Sequence, residues 1–377
     1  MRVSKDTLEL GNAVGKLLRN DGEGAQELLR WQPEHLAQKL EQERLGGHVD
    51  QLLRSVDADA YVGSAHEAAL APLVGAMQFD WLRREEALSQ LLALFEQNGI
   101  RAAFLKGTVW AETIYQRPFD RSASDIDILI SEQDALHFHQ VMKRAGYRYR
   151  DDKHTFASNE FGYHPRDDAY PFQIDVHWSL CDLYGQEPKH LDGAFTRAVA
   201  WTNKSSHNAM MLAPLDDILW QCWHRTSTQG DVMRLRSLID LSLLTHKYYK
   251  AASTHPPESL SEIERAAVMA TFSDTVTILG QDAIPDAWEG WIIPAAKPYS
   301  QAQEVLAKRR RFRSLRHRLK NAHSWSDSLK CLHTAGMPPK RWYEVNTGNL
   351  DWGRYLYTCG ARLVRGAHAH LKEYTKP

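Results

Sequence analysis

The chain has 377 residues, 43% of them apolar and 25% charged, a length and composition that allow two or three domains with cores of their own. It contains no run of eighteen apolar residues, which excludes a conventional transmembrane helix, and its start, Met1-Arg2-Val3-Ser4-Lys5-Asp6, has no apolar secretory segment. The net charge of −1 is unevenly distributed: residues 301–377 hold sixteen Lys/Arg against five Asp/Glu, a net +11, so the first 300 carry −12, an asymmetry that speaks of partners and not of fold.

Residues 1–98 read as a helical region. Leu36, Leu40 and Leu45 punctuate a polar stretch, Leu52 and Leu53 follow, and Leu88, Leu91, Leu92 and Phe95 lie at helical spacing over 81–97, with Asn98-Gly99 as the stop. These are core-facing stripes without visible chemistry. Residues 100–105 predict a strand that ends in Lys106-Gly107-Thr108, and a helix follows over 108–115. A strand-to-helix turn of this kind offers backbone N–H groups and a helix start to a phosphate. Pro118 bars helix from the loop over 116–121.

Ser124-Asp125-Ile126-Asp127-Ile128-Leu129-Ile130 predicts the next strand, with both aspartates on one face and the isoleucines on the other. Carboxylates about 7 Å apart on one strand face repel unless a cation stands between them. Ser131 is a suitable cap for a helix to about 145, and Gly146 ends it. Residues 147–150 predict a short strand, and 156–164 with 172–180 a hairpin. In the second arm Phe172, Ile174, Val176 and Trp178 share one face, while Gln173, Asp175 and His177 share the other. An Asp-x-Asp by itself is most often a solvated strand edge. Three acids on two strands are the usual supply for a two-metal site.

Together Leu105-Lys106-Gly107, Tyr115, Arg121, Asp125-Ile126-Asp127-Ile128-Leu129 and Ile174-Asp175-Val176-His177-Trp178 resemble the DNA polymerase β-type nucleotidyltransferase superfamily, and most closely its uncharacterised bacterial branch. The resemblance is firm over 99–180 and looser from about 28 to about 250. One departure lies at the turn, where the superfamily commonly has Gly-Ser and this chain has Lys106-Gly107-Thr108. The Lys-Gly form is also similar to abortive-infection and toxin nucleotidyltransferases. The resemblance implies an α+β fold, a small mixed sheet flanked by N-terminal and C-terminal helical regions, with the catalytic core over 99–205. It implies metal-dependent transfer of a nucleoside monophosphate from an NTP such as ATP to a hydroxyl or phosphate acceptor. Asp125, Asp127 and Asp175 would hold two Mg²⁺ ions, with Mn²⁺ as a substitute. Lys106, Gly107, Thr108 and Arg121 would bind the nucleotide, and His177 would position the acceptor.

From Pro214 the chain turns helical over 206–300. Leu215, Ile218, Leu219 and Cys222 form one stripe, and Leu235, Leu238, Ile239 and Leu243 form another over 232–249. His224, Arg234, Arg236 and Asp240 are expected to be surface residues or satisfied structural partners, although such helices in the superfamily close over the base. Cys181, Cys222, Cys331 and Cys359 show no Cys-x-x-Cys spacing, which fits reduced thiols in a cytoplasmic protein and speaks against zinc. Residues 308–320 hold eight Lys/Arg and no acid, from Lys308, Arg309, Arg310 and Arg311 through Lys320. That stretch is either a solvated face or an RNA contact, and the region 301–377 is also rich in aromatics. Two further readings stay open beside a small-molecule acceptor: a toxin-like enzyme that modifies tRNA or other RNA, and a catalytically silent nucleotide- or partner-binding module.

Overall fold

Capping residues set where the first helices begin. The computed structural model describes residues 4–150, 160–165, 172–180, 190–202, 204, 209–228, 234–249 and 257–291. Helix α1 (Lys5–Leu18) starts at Ser4, whose hydroxyl accepts from the Thr7 N–H, and α2 (Gly22–Leu29) starts at Asp21, which accepts from the Glu23 N–H. Helix α3 (Pro33–Glu43) carries proline in its first turn, where no intrahelical donor is needed, and it is followed by α4 (Gly46–Val56) and the short α5 (Ala58–Tyr61).

Helix α6 (Ala65–Gln97) is 33 residues long, about twice the expected 81–97. It begins at the Ser64 cap and runs through Pro72. Proline at an interior position removes one backbone hydrogen bond, which favours an interruption there. Packing of α6 against α3 and α4 offsets that loss.

The sheet is built from β1 (Ala102–Phe104), β2 (Asp125–Leu129), β3 (Arg148–Arg150), β4 (Glu160–His164), β5 (Gln173–His177), β6 (Val199–Ala200) and β7 (Ala209–Met211). Their spatial order is β3-β4-β5-β2-β1-β7-β6. Strand β2 pairs antiparallel with β1 and parallel with β5; β4 pairs antiparallel with β3 and β5; β7 pairs parallel with β1. The expected mixed sheet with helical flanks is present. Strands β6 and β7 were not anticipated, because two or three residues are too few to show alternation, and all three residues of β7 are buried. The sheet therefore continues past residue 205.

Helices α7 (Gly107–Thr113), α8 (Ala135–Arg144) and the short α9 (Ala194–Arg197) connect strands. Ser131 caps a 3-10 turn, Glu132–Asp134, which leads into α8, so the regular helix starts later than the capping residue suggests. Helices α10 (Pro214–Thr228), α11 (Leu235–Lys247) and α12 (Glu262–Leu279) follow the sheet. Among the described residues no helix is long and apolar enough to cross a membrane.

Two apolar cores form. One joins the sheet to α6, α8 and α10, through Leu91, Phe95, Phe104, Ile128, Phe138, Val176, Ile218 and Trp223. The other joins Leu10, Val14, Leu28, Leu36 and Leu40 to Leu235, Leu238, Ile239, Ile278 and Leu279. The helices before the sheet and those after it thus share one interior, and residues distant in sequence meet beside the sheet.

Glycines on α1 permit the closest approach. A Cβ on Gly15 would stand 1.9 Å from the carbonyl oxygen of Leu279, a backbone atom that cannot rotate away. Gly15→Ala is therefore expected to destabilise the fold by roughly 1–3 kcal/mol through overpacking, read as a lower urea midpoint. An unchanged midpoint would show that α1 and α12 separate freely.

Candidate active site

The three predicted acids become neighbours through strand register. Parallel pairing sets Asp127 opposite Asp175, Asp125 opposite Gln173 and Leu129 opposite His177. Side-chain alternation then puts Asp125, Asp127, Gln173, Asp175 and His177 on one sheet face. Ile126, Ile128, Ile174 and Val176 are buried behind them.

Asp127 is the most enclosed of the acids, 6% exposed. Its Oδ1 accepts from the Lys106 Nζ at 3.0 Å, and His177 Nε2 lies 3.4 Å from the same oxygen. Lys106 Nζ also donates to His224 Nε2 on α10 at 3.1 Å and stands 5.4 Å from the Trp220 ring centre. Burial by itself would raise the Asp127 carboxyl, but Lys106 and His177 outweigh it and hold the group well below the carboxylate range. Asp125 is raised, by burial first and by the charge on Asp127 second. Burial, then the Lys106 ammonium, push His224 well below the usual imidazole value, so it is a neutral acceptor for Lys106.

The backbone turn that aims Lys106 is unusual. Lys106 has φ 49° and ψ −129°, in the half of backbone space that favours glycine. Such a conformation costs about 1–3 kcal/mol and persists where the surroundings hold it. Here the Leu105 N–H donates to the Asp127 carbonyl and the Lys106 carbonyl accepts from the Trp110 N–H, so both sides of the turn are tied. Gly107 is required for another reason: a Cβ there would lie 2.8 Å from both Ala123 Cβ and Arg121 Nη1. The Thr108 hydroxyl is buried with no hydrogen-bond partner among the described residues.

Arg121 lies against this turn, and its guanidinium is held in a forked pair with Asp240 of α11, at 2.8 and 2.9 Å. Tyr115 donates to the same carboxylate at 2.8 Å, and Arg121 Nη1 donates to the Ser122 carbonyl. Two further arginines grip the same loop: Arg236 Nη1 donates to the Ser122 carbonyl at 2.9 Å, and Arg84 Nη2 to the Ala123 carbonyl. Asp240 is thus the satisfied structural partner that its helix position suggested. His224, Trp220 and Arg84 were not legible as site residues. The available signal was a pair of polar or aromatic residues four apart on an apolar helix face, Trp220 with His224 and Arg236 with Asp240.

Asp125, Asp127 and Asp175 present hard oxygen donors of the kind Mg²⁺ prefers. Asp125 is raised by burial first and by the charge on Asp127 second, against the pull of Lys106, Arg121 and Arg236, and a cation bound between the two carboxylates would favour its ionised form. Among the described residues no three acidic, His or Cys side chains are already drawn together as a metal cluster. Lys106 engages Asp127 and Gln173 donates to Asp175, so these acids have protein partners of their own. The basic stretch 308–320 and the aromatic tail lie outside the described residues.

The family described as uncharacterised nucleotidyltransferase matches residues 31–255, more than half of the chain and every side chain placed at this site. The chain belongs to that family. No curated protein and no solved structure matches it.

The strain at Lys106 is open to measurement. Lys106→Ala and Lys106→Gly both lose the ion pair, but only glycine relieves the backbone, so the glycine form should be the more stable by about 1 kcal/mol in urea. Equal midpoints would mean that the turn is unstrained.

His48 tests the surroundings of Asp240. It packs edge-on to Tyr115, is 4% exposed with neither ring nitrogen bonded, and burial pushes it down to about 4. Its folded value is depressed, so its stabilising contribution is complete above the unfolded value of about 6.5 and is lost as pH falls toward about 4. That loss is on the order of 3 kcal/mol. His48→Phe should flatten the decline in urea midpoint between about pH 7 and about pH 5. A slope as steep as wild type would assign the decline to other groups.

Proposed function

We propose that the protein transfers a nucleoside monophosphate from an NTP to an acceptor hydroxyl or phosphate, with release of pyrophosphate. The observation that carries the reading is the register of β2 and β5, which sets Asp127 beside Asp175 with Asp125 two residues away on the same face. The family match supports a nucleotide substrate.

In this reading Asp125, Asp127 and Asp175 hold two Mg²⁺ ions, which when bound lower the pKa of the acceptor hydroxyl and neutralise charge developing on the phosphates. Asp175 takes the proton from the acceptor hydroxyl. The acceptor oxygen bonds to the α-phosphorus as the bond to the bridging oxygen breaks, and pyrophosphate leaves. Lys106 supplies a fixed positive charge beside Asp127, and the Gly107 and Thr108 N–H groups face the phosphates where α7 begins. Arg121 acts through the loop that it shares with Asp240, holding the approach to Asp125. His177, on the acidic face, orients the acceptor.

Incubation with each α-³²P-labelled NTP, Mg²⁺ or Mn²⁺ and cell extract should label one fraction. Asp175→Asn and Asp127→Asn should each reduce labelling by about a hundredfold or more. Asp127→Asn also strands the Lys106 ammonium and should lower stability by about 3 kcal/mol, read as a lower urea midpoint. Wild-type labelling by folded Asp175→Asn would overturn the reading.

A further inference from the structure

We infer that Arg84 and Arg236 form the seat for the triphosphate chain of the nucleotide, on the loop that leads into Asp125. The inference rests on the transfer reading above and adds to it the residues that grip the substrate.

Arg84 projects from α6 and Arg236 from α11, and they donate to consecutive carbonyls, those of Ala123 and Ser122. Arg121, near both, is paired with both oxygens of Asp240. Neither Arg84 nor Arg236 forms an ion pair with any described carboxylate. Arg84 is 2% exposed, and its Nε is buried with no hydrogen-bond partner. A guanidinium carries five N–H donors in a fixed fork, so one backbone carbonyl leaves most of that capacity unused.

Charge bookkeeping points the same way. Burial lowers Arg84 to about 10 and Arg236 to about 9, and in each case Arg121 is the next cause. Both stay charged at neutral pH while crowded by a third guanidinium. Acids near Arg84 are Asp125, Asp80 and Glu85, and acids near Arg236 are Asp240 and Asp125. Buried cations without a bonded anion are costly, and the cost falls when an anion arrives.

The location suits a phosphate chain. Arg84 stands over the ring of Phe172, 5.2 Å from its centre, and Phe172 precedes β5. Gly107 lies against Ala123 and Arg121, so the loop is in contact with the Lys106-Gly107-Thr108 turn. A chain of phosphates laid along that contact would meet planar forks, which match phosphate oxygens two at a time. Positive charge here also favours departure of pyrophosphate, on which negative charge develops.

The probe is inorganic tripolyphosphate, added without metal to the full chain and followed by titration calorimetry. Wild type should bind it, and Arg84→Lys and Arg236→Gln should each weaken binding by at least about tenfold. Should Arg84→Lys fail to fold, Arg236→Gln decides, because Arg236 is only partly buried. A folded Arg236→Gln that is less stable in urea yet binds tripolyphosphate as wild type does would reduce the arginines to loop clamps and overturn the inference. So would a wild type that binds none. Tripolyphosphate has no nucleotidyl group, so this result is readable even if the labelling experiment fails. Conversely, an enzyme that labels its acceptor but ignores tripolyphosphate sinks only the arginine seat.

Discussion

A half-buried ammonium needs a countercharge, and Lys106 finds one in Asp127. The pair closes at 3.0 Å and stands at the junction of β1, α7 and β2. It explains why the turn tolerates a positive φ at lysine, why Asp127 remains ionised despite its burial, and why His224 is neutral. It also draws α10 to the sheet, since His224 and Trp220 surround the same ammonium. A second tie links α10 to α7, where Trp110 donates to Asp217 at 2.8 Å. The acidic face of the sheet is therefore roofed by a helix that begins more than eighty residues after Asp127.

The loop before β2 is held by a different device. Three guanidiniums from α6, the loop itself and α11 converge on two peptide carbonyls, and Asp240 neutralises one of them. This arrangement makes the approach to Asp125 rigid while leaving it positive. Asp125 and Asp127 thus differ in character although they are two residues apart. Asp127 is committed to a lysine, and Asp125 is raised by burial and by its neighbour. In the proposed chemistry the first is a fixed anchor, and the second is the group with most to gain from a metal ion.

The helical regions before and after the sheet are not independent covers. Leu10 and Leu36 and, from α6, Leu70 share one core with Leu235, Ile239 and Leu279, which ties α6 and α11 into the same interior. That placement brings Arg84 and Arg236 to consecutive carbonyls of one loop. A site whose parts come from α6, β1, β2, β5, α10 and α11 needs both helical regions in place.

Much of the sheet face was written in local pattern. Alternation assigned Asp125 and Asp127 to one side of β2, and Asp175 and His177 to one side of β5, because the period of a strand is two and the opposite side is apolar. The glycine turn and its helix were equally plain. Alternation says nothing about which strands pair or in what register, and only the parallel pairing of β2 with β5 sets Asp127 opposite Asp175. Nor can local pattern show where a long side chain ends. Arg121 resembled a phosphate ligand, but tertiary packing brought Asp240 to it from 119 residues away. Arg84 carried no local signal and His224 only its spacing from Trp220, since their roles arise from contacts across 39 and 118 residues. The sequence by itself determined which side of its own strand each acid takes; the tertiary structure decided that these sides form one face and which cations meet it, because pairing depends on distance in space and not along the chain.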